Sequence, residues 1–200
     1  MKKILHIISS PRGNSSFSIK LGEAIVNKIQ ETYPGSTIRN YDLISKNFPH
    51  LEEHHVTSFY TPADQRSPEA IQALFHSDDA IGEIRSADII VIGAPLYNFG
   101  IHSSLKAWID HITRIGETFN YTENGPEGLV KGKKVYIAMS SGGIYSDGDA
   151  KRFDFVTPYL TTILGFLGMT DVTTFRVEGT GLAEFKDNAV EKGIASITLD

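Results

Sequence analysis

Short apolar runs recur along the chain and alternate with longer stretches in which apolar residues recur at helical spacing. The run 89–93 is the clearest, because it holds four β-branched residues followed by a glycine. A run this short and this rich in β-branched residues predicts a strand that is buried on both faces, as in a parallel sheet. Comparable runs predict further strands at 4–8, 36–41, 133–139 and 171–177.

Helices are predicted between these strands, where apolar residues recur every three to four positions. Ser67 is a favourable N-cap, and Pro68 suits the first helical position after it. The apolar stretch 153–167 fits a helix that is buried in the core or used in a subunit contact. The predicted helices span about 16–32, 68–85, 103–115, 153–167 and 182–197.

Two segments lack a helical or strand period. The segment 42–65 contains two prolines and three histidines and is expected to be a long excursion with one short helix. The segment 117–130 contains the turn residues Asn124, Gly125 and Pro126, which predict a projecting hairpin or folded loop.

Strand and helix alternate five times, which predicts an α/β fold: a doubly wound, five-stranded parallel sheet with helices on both faces. Of the common strand orders, 2-1-3-4-5 fits five strands, and it places the switch point between the first and third strands. In such sheets, ligands bind beyond the carboxyl ends of the strands at the switch point. A ligand is therefore expected at the loops 9–18 and 94–100.

Composition narrows the function classes. The 200 residues suit a single domain spanning 1–200, with 40% hydrophobic and 22% charged side chains. A net charge of −5 without a long basic run argues against nucleic acid as a partner. The absence of cysteine excludes disulfides, thiolate zinc ligands and a cysteine nucleophile. No apolar segment approaches the roughly 20 residues of a membrane span, so no membrane partner and a cytoplasmic location are expected.

The loop between the first strand and the first helix is rich in serine. Hydroxyl groups and free N–H groups at a helix N-terminus form an anion site, and the cluster favours a phosphate. The loop matches neither the P-loop pattern nor the Gly-x-Gly-x-x-Gly fingerprint of dinucleotide-binding proteins. The alternative is ordinary N-capping by Ser15 or Ser16.

The loop after the third strand carries Tyr97, Asn98 and Phe99. Two aromatic rings and an amide suit a flat, hydrogen-bonding ligand better than a sugar or a simple phosphate. The alternative is that the two rings only pack the end of the sheet.

The loop after the fourth predicted strand, 140–143, has the sequence Ser-Ser-Gly-Gly. Glycines let backbone amides approach a ring edge closely. Such donors would stabilise a ring whose N1–C2=O edge becomes anionic on reduction. The alternative is a plain Gly-Gly turn.

The histidines do not form a recognisable site. His50, His54 and His55 lack the spacing of a known metal site, so we expect no metal and interpret them as solvated loop residues. His102 and His111 lack the context of a catalytic triad, since there is no Gly-x-Ser-x-Gly motif.

The segments 94–134, 140–149 and 156–172 together resemble the FMN-dependent NADH-azoreductase family, whose members also reduce quinones and have a flavodoxin-like fold. The resemblance covers nearly the whole chain, in order and register. Ser141 and Tyr145 stand where some members carry Arg and His.

The resemblance implies an FMN site made of three loops. The first matches the family's phosphate loop, the second its segment under and beside the isoalloxazine ring, and the third its loop at the pyrimidine edge. In this chain they are, respectively, Ser10, Ser16, Phe17 and Ser18; Leu96, Tyr97, Asn98 and Phe99; and Ser140, Ser141, Gly142 and Gly143.

The resemblance also implies a two-step, ping-pong reaction. NADH would deliver a hydride to the flavin N5, and a quinone or azo compound would then take two electrons at the same face, with no catalytic side chain. Phe99 and Phe119 are candidates for the walls of the substrate slot, which can come from opposite subunits of a homodimer with its active site at the interface. The alternative function is a flavodoxin-type electron carrier without its own substrate turnover.

Overall fold

Five of the strands form one parallel sheet in the computed structural model, which describes residues 1–199. The strands are β1 (Lys3–Ile8), β2 (Thr37–Asp42), β3 (Ile89–Pro95), β4 (Phe119–Thr122), β5 (Gly125–Gly128), β6 (Lys134–Ser140) and β7 (Asp171–Val177). The sheet order is β2-β1-β3-β6-β7, and every pairing in it is parallel. The predicted order 2-1-3-4-5 is therefore confirmed, because β4 and β5 form a separate hairpin.

Helices cover both faces of the sheet, as the prediction required. The alternation of side chains along β3 shows the two faces: Ile90 and Ile92 belong to one buried cluster, and Ile89 and Val91 to the other. No helix within residues 1–199 is long and apolar enough to cross a membrane. The helices are α1 (Phe17–Thr32), α2 (Leu43–Lys46), α3 (Glu53–Tyr60), α4 (Pro68–Ser86), α5 (Ser103–Ile112), α6 (Thr157–Phe166) and α7 (Ala189–Ala195).

Hydrogen bonds at the helix N-termini explain why one predicted helix start is right and another is wrong. The predicted start of α4 is confirmed, since the Ser67 side chain accepts a hydrogen bond from Ala70 N and Pro68 occupies the first turn. The predicted start of α6 at 153 is wrong. The carboxylate of Asp154 accepts hydrogen bonds from the N–H groups of Val156 and Thr157, both at 3.0 Å, so the helix begins only at Thr157.

Two other predicted helices are too long. The last helix was expected at 182–197, but only Ala189–Ala195 is helical, and residues 182–188 form successive turns. Helix α5 ends at Ile112 instead of residue 115, because the hydroxyl of Thr118 donates to Ile112 O and accepts from Arg114 N. Hydrogen bonds between a side chain and the backbone leave no periodic signal in the sequence.

The excursion at 42–65 contains two short α-helices rather than one, α2 and α3. It packs against α4 and α5 through a cluster of aromatic rings in which His111 lies 5.5 Å from Phe48 and 5.3 Å from His55. His55 is only 5% exposed, so the interpretation of this residue as a solvated loop histidine is wrong. His50 and His54 are exposed.

Burial of these imidazoles predicts that the protein loses stability in mild acid. Burial lowers the pKa of both His55 and His111 below the usual value of 6.5. His111 donates from Nε2 to Pro49 O, and its buried Nδ1 has no partner within residues 1–199, so protonation there would bury an unpaired N–H.

The neutral imidazoles therefore contribute stability that is complete above pH 6.5 and is lost as the pH falls through their lowered pKa values. Urea unfolding measured from pH 7.5 down to pH 5 should show a falling free energy of unfolding. The variant His111→Gln retains an N–H donor but cannot titrate, so its pH dependence should be shallower. The exposed control His50→Gln should match the wild type, and equal slopes for all three proteins would contradict the prediction.

The segment 117–130 forms the predicted hairpin, with β4 and β5 paired antiparallel. Its base is attached to the end of α6: Val130 N donates to Leu167 O at 2.9 Å, and Gly128 lies directly against the backbone of Gly168. Because α6 runs toward the start of β7, the hairpin lies at the amino edge of the sheet.

Candidate functional site

The loops that follow β1, β3 and β6 meet at the carboxyl edge of the sheet, as the sequence predicted. They enclose a narrow cleft with a cavity of about 80 Å³. Eight of the predicted cofactor residues line it, together with three residues that sequence reasoning did not single out. The lining is Ser10, Arg12, Ser16, Phe17, Pro95, Leu96, Tyr97, Ser140, Ser141, Gly142 and Thr180.

One end of the cleft is the N-terminus of α1. Ser16 is the N-cap, and its hydroxyl accepts a hydrogen bond from Ile19 N at 3.4 Å. N-capping does not exclude an anion here, because the N–H groups of the first helical turn have no partner within the helix and Ser16 satisfies only that of Ile19. Ser18 is fully buried with its hydroxyl 3.0 Å from that of Ser16, so it supports the loop rather than lining the cleft.

Arg12 adds a positive charge to this end of the cleft. Its guanidinium lies 5.8 Å from the ring centre of Phe17, and Arg12 N donates to Ser10 Oγ at 3.4 Å. The hydroxyls, the free N–H groups and the cation together favour a dianionic group such as a phosphate. The sequence could have identified Arg12 as a site residue, because it is an arginine within a serine-rich loop that precedes a helix.

The residues 97–100 form a tight turn with positive φ at both central positions. Tyr97 N donates to Gly100 O and Gly100 N to Tyr97 O, each at 2.9 Å. Asn98 has φ of 49° and Phe99 φ of 69°, as in a type I′ turn. Asparagine tolerates this conformation, but a bulky residue such as Phe99 is strained in it. Strain that the surrounding structure maintains in this way is typical of functional sites.

The ring of Phe99 lies outside the narrow cleft and is 46% exposed. It packs 5.3 Å from Phe153, and Phe99 O accepts a hydrogen bond from Phe155 N at 3.1 Å. A wider groove of about 890 Å³ lies beside it, lined by Tyr97, Asn98, Gly100, Ile101, His102, Ser103, Lys106, Phe155, Pro158 and Tyr159. Tyr97 and the rest of the turn therefore separate a narrow cleft from a wide, largely apolar groove.

His102 lines the wide groove as a neutral imidazole. Its Nδ1 accepts a hydrogen bond from Ser104 N at 3.2 Å as the N-cap of α5, which places the ring hydrogen on Nε2. Burial lowers the pKa of His102 below 6.5. The sequence pattern indicated no role for this residue, because histidine is an uncommon N-cap.

The loop at 140–143 forms the other end of the cleft. Leu96 N donates to Ser140 O at 2.8 Å, which joins this loop to the one after β3. The hydroxyl of Ser141 donates to Gly143 O at 2.8 Å and is therefore used within the loop. The N–H groups of Gly142 and Gly143 donate to no acceptor within residues 1–199, so two adjacent amides remain available.

Phe119 does not lie near Phe99 within one chain. It is 8% exposed and packs 4.6 Å from Phe166, at the C-terminal end of α6. Phe99 contacts the residues just before the same helix begins. A helix of 10 residues separates the two positions by about 15 Å. One chain therefore supplies only one of the two predicted slot residues at this edge of the sheet.

Comparison with known proteins agrees with this architecture. A family model described as a flavodoxin-like fold matches residues 2–198. The chain belongs to that family. Curated flavodoxin-like relatives include the FMN-dependent NADH:quinone oxidoreductase of Herminiimonas arsenicoxydans, 47% identical over 193 residues, covering 96% of this chain and 95% of the relative. The protein of the same name from Mesorhizobium japonicum is 43% identical over 195 residues, covering 98% and 91%.

Solved flavodoxin-like structures share the whole architecture. An azoreductase from Bacillus anthracis superposes with a TM-score of 0.88 at 29% identity, covering 98% of this chain and 96% of that one. An FMN-dependent NADH-azoreductase from the same species, in complex with FMN, superposes with a TM-score of 0.84 at 29% identity, covering 98% and 97%.

Proposed function

We propose that this protein is an FMN-dependent NAD(P)H oxidoreductase that reduces quinones and azo compounds. The observation that carries the proposal is the cleft, which has the serines and Arg12 at the N-terminus of α1 at one end and the loop with the free Gly142 amide at the other, and which Tyr97 of the strained turn also lines. The names of the curated relatives and the FMN complex of the solved neighbour support the same function.

The donor set of the cleft fits FMN. Ser10, Ser16, Arg12 and the first turn of α1 would hold the phosphate. The segment Leu96 to Phe99 would lie under and beside the isoalloxazine ring. The amides of Gly142 and Gly143 would face its pyrimidine edge, where hydrogen-bond donors stabilise negative charge.

FMN, when bound, would supply the redox chemistry, namely transfer of a hydride from NADH at N5 and of two electrons to the acceptor in a second half-reaction. The residues of the chain bind and orient the reactants. The wide groove beside Phe99 would receive the nicotinamide and then the quinone or azo compound, with no side chain acting as nucleophile or metal ligand.

We further propose that the active site is completed in a homodimer. Phe99, Phe153 and Phe155 are 46%, 38% and 59% exposed beside the apolar groove, where a second copy would cover them. Phe119 lies at the opposite edge of its own chain and would reach a slot only in a partner. Light scattering of the holoprotein should give the mass of a dimer. The assignments to one domain and to the cytoplasm stay predictions.

The decisive experiment is an anaerobic spectral titration of the purified protein with FMN, NADH and a quinone, in that order. Flavin bands that bleach with NADH and return with quinone are expected for the oxidoreductase. Bands that form but do not bleach with NADH would favour the electron carrier. If no flavin binds, the proposed function fails together with the roles of Ser10, Asn98 and Gly142.

Replacing Asn98 by leucine should weaken FMN binding about tenfold, because it removes the amide and places a branched side chain at positive φ. Flavin fluorescence quenching measures the dissociation constant. The control Asn98→Gly accepts the backbone conformation and removes only the amide, so it should lose less affinity than Asn98→Leu. An unchanged affinity in Asn98→Leu would contradict the role assigned to Asn98.

A further inference from the structure

The loop at 140–143 is held from one side by the segment 177–181, which we call the supporting segment. The carbonyl of each residue from 141 to 143 accepts a hydrogen bond from it, and Ser141 N donates to Val177 O at 3.0 Å. The donors and distances are Thr180 N (3.3 Å) and Thr180 Oγ1 (3.1 Å) to Ser141 O, Gly181 N (2.9 Å) to Gly142 O, and Gly179 N (3.0 Å) to Gly143 O.

These bonds determine where the amides of the loop point. In a trans peptide, the carbonyl of one residue and the N–H of the next point in opposite directions. Because the carbonyls of Ser141 and Gly142 face the supporting segment, the N–H groups of Gly142 and Gly143 point away from it. Gly142 lines the narrow cleft, and neither N–H has an acceptor within residues 1–199. The supporting segment therefore fixes the direction of two adjacent donors, and Thr180 of this segment lines the narrow cleft together with Gly142.

Within 179–181, Thr180 is the residue with a side chain. Gly179 has φ of 75°, and a Cβ there would lie 2.9 Å from Phe185. A Cβ on Gly181 would lie 3.3 Å from Gly142 O. Side chains are thus disfavoured on either side of Thr180, whose hydroxyl and N–H both bind Ser141 O.

We propose that Thr180 is a positioning residue that fixes the Gly142 and Gly143 amides and thereby makes the protein bind reduced FMN more tightly than oxidised FMN. This inference rests on the proposed function. Reduction places negative charge on the N1–C2=O edge of the flavin, and donors that are already oriented stabilise that charge without reorganisation. Because reduced FMN is bound more tightly than oxidised FMN, the reduction potential of the bound flavin is raised.

The test compares Thr180→Val, which removes the hydroxyl at nearly constant shape, with Thr180→Ser, which retains it. The two-electron midpoint potential of each holoprotein is measured against a redox dye, and the dissociation constant of oxidised FMN by fluorescence. Thr180→Val should bind reduced FMN about tenfold less well relative to oxidised FMN, which lowers the potential by about 30 mV. Thr180→Ser should keep the wild-type potential. A purely structural role would weaken both redox forms equally and leave the potential unchanged.

Gly181→Ala is a second, independent perturbation, because its Cβ would push on Gly142 O. Gly181→Ala should also lower the midpoint potential of the bound flavin. If Thr180→Val does not retain flavin, the potential of Gly181→Ala tests the proposal in its place. If the variants that retain flavin have the same midpoint potential as the wild type, this inference is overturned. The proposed function would still stand in that case, provided that the wild-type protein binds FMN and is reduced by NADH. Equal shifts in Thr180→Val and Thr180→Ser would overturn the role of the hydroxyl. A wild-type protein that binds no FMN would overturn the proposed function as well.

Discussion

Riboflavin, which lacks the phosphate of FMN, is expected to bind at least about a hundredfold more weakly than FMN. Hydrogen bonds to a charged group contribute about 1.5–3 kcal/mol each, so two of them account for about 3 kcal/mol, or a hundredfold in affinity. The cleft offers more than two such donors, among them Ser10, Arg12 and the first turn of α1. Fluorescence titration with both ligands measures the ratio.

The variant Arg12→Met tests whether Arg12 contributes to the difference in affinity between FMN and riboflavin. It should weaken the binding of FMN and leave that of riboflavin unchanged, because only FMN carries the anionic group. The effect on FMN should shrink at high salt, since Arg12 is exposed. Equal affinities of the wild-type protein for the two flavins would show that no phosphate binds at α1.

Replacing Gly128 by alanine is expected to destabilise the protein by about 3 kcal/mol, the upper end of the usual cost of overpacking. A Cβ at this position would overlap the backbone of Leu167 and Gly168, which cannot rotate away as a flexible side chain would. The hairpin of β4 and β5 would have to separate from the end of α6. Urea unfolding monitored by circular dichroism measures the loss.

A matched control is available in α4. Gly82 lies in the helix interior, and a Cβ there would meet nothing within 4 Å. Gly82→Ala should therefore stabilise the protein by about 0.5–1 kcal/mol, because alanine loses less backbone entropy in a helix than glycine. If Gly128→Ala were as stable as Gly82→Ala, the hairpin would not pack on the end of α6 as closely as in this structure.

Apolar spacing alone misplaced the boundaries of several helices. The sequence 182–197 has apolar residues at helical spacing, yet residues 182–188 form turns. The stretch 153–167 lost its first residues from the helix because Asp154 caps it from inside the predicted range. Local periodicity describes which side of an element is apolar, but it does not report where a hydrogen bond from a side chain sets the boundary of the helix.

The candidate site likewise contains residues that could be predicted from the sequence and residues that could not. Ser10, Tyr97 and Gly142 could be predicted because the carboxyl ends of adjacent parallel strands meet at one edge, whatever the details of packing. Thr180 could not, since its role depends on Ser141, which lies 39 residues away along the chain. His55 was misjudged because its burial results from contact with His111 on another element.

The strand order, the burial of the sheet on both faces and the three loops at its carboxyl edge could all be predicted from the sequence. The burial and the loops follow from short-range patterns and chain order, and the strand order is one of those common in doubly wound sheets. Tertiary contacts were needed to show which amides of the 140–143 loop remain free, that Phe99 and Phe119 lie at opposite edges of one chain, and which histidines are buried. Those properties depend on contacts between residues far apart in the sequence, where no local pattern records the partner.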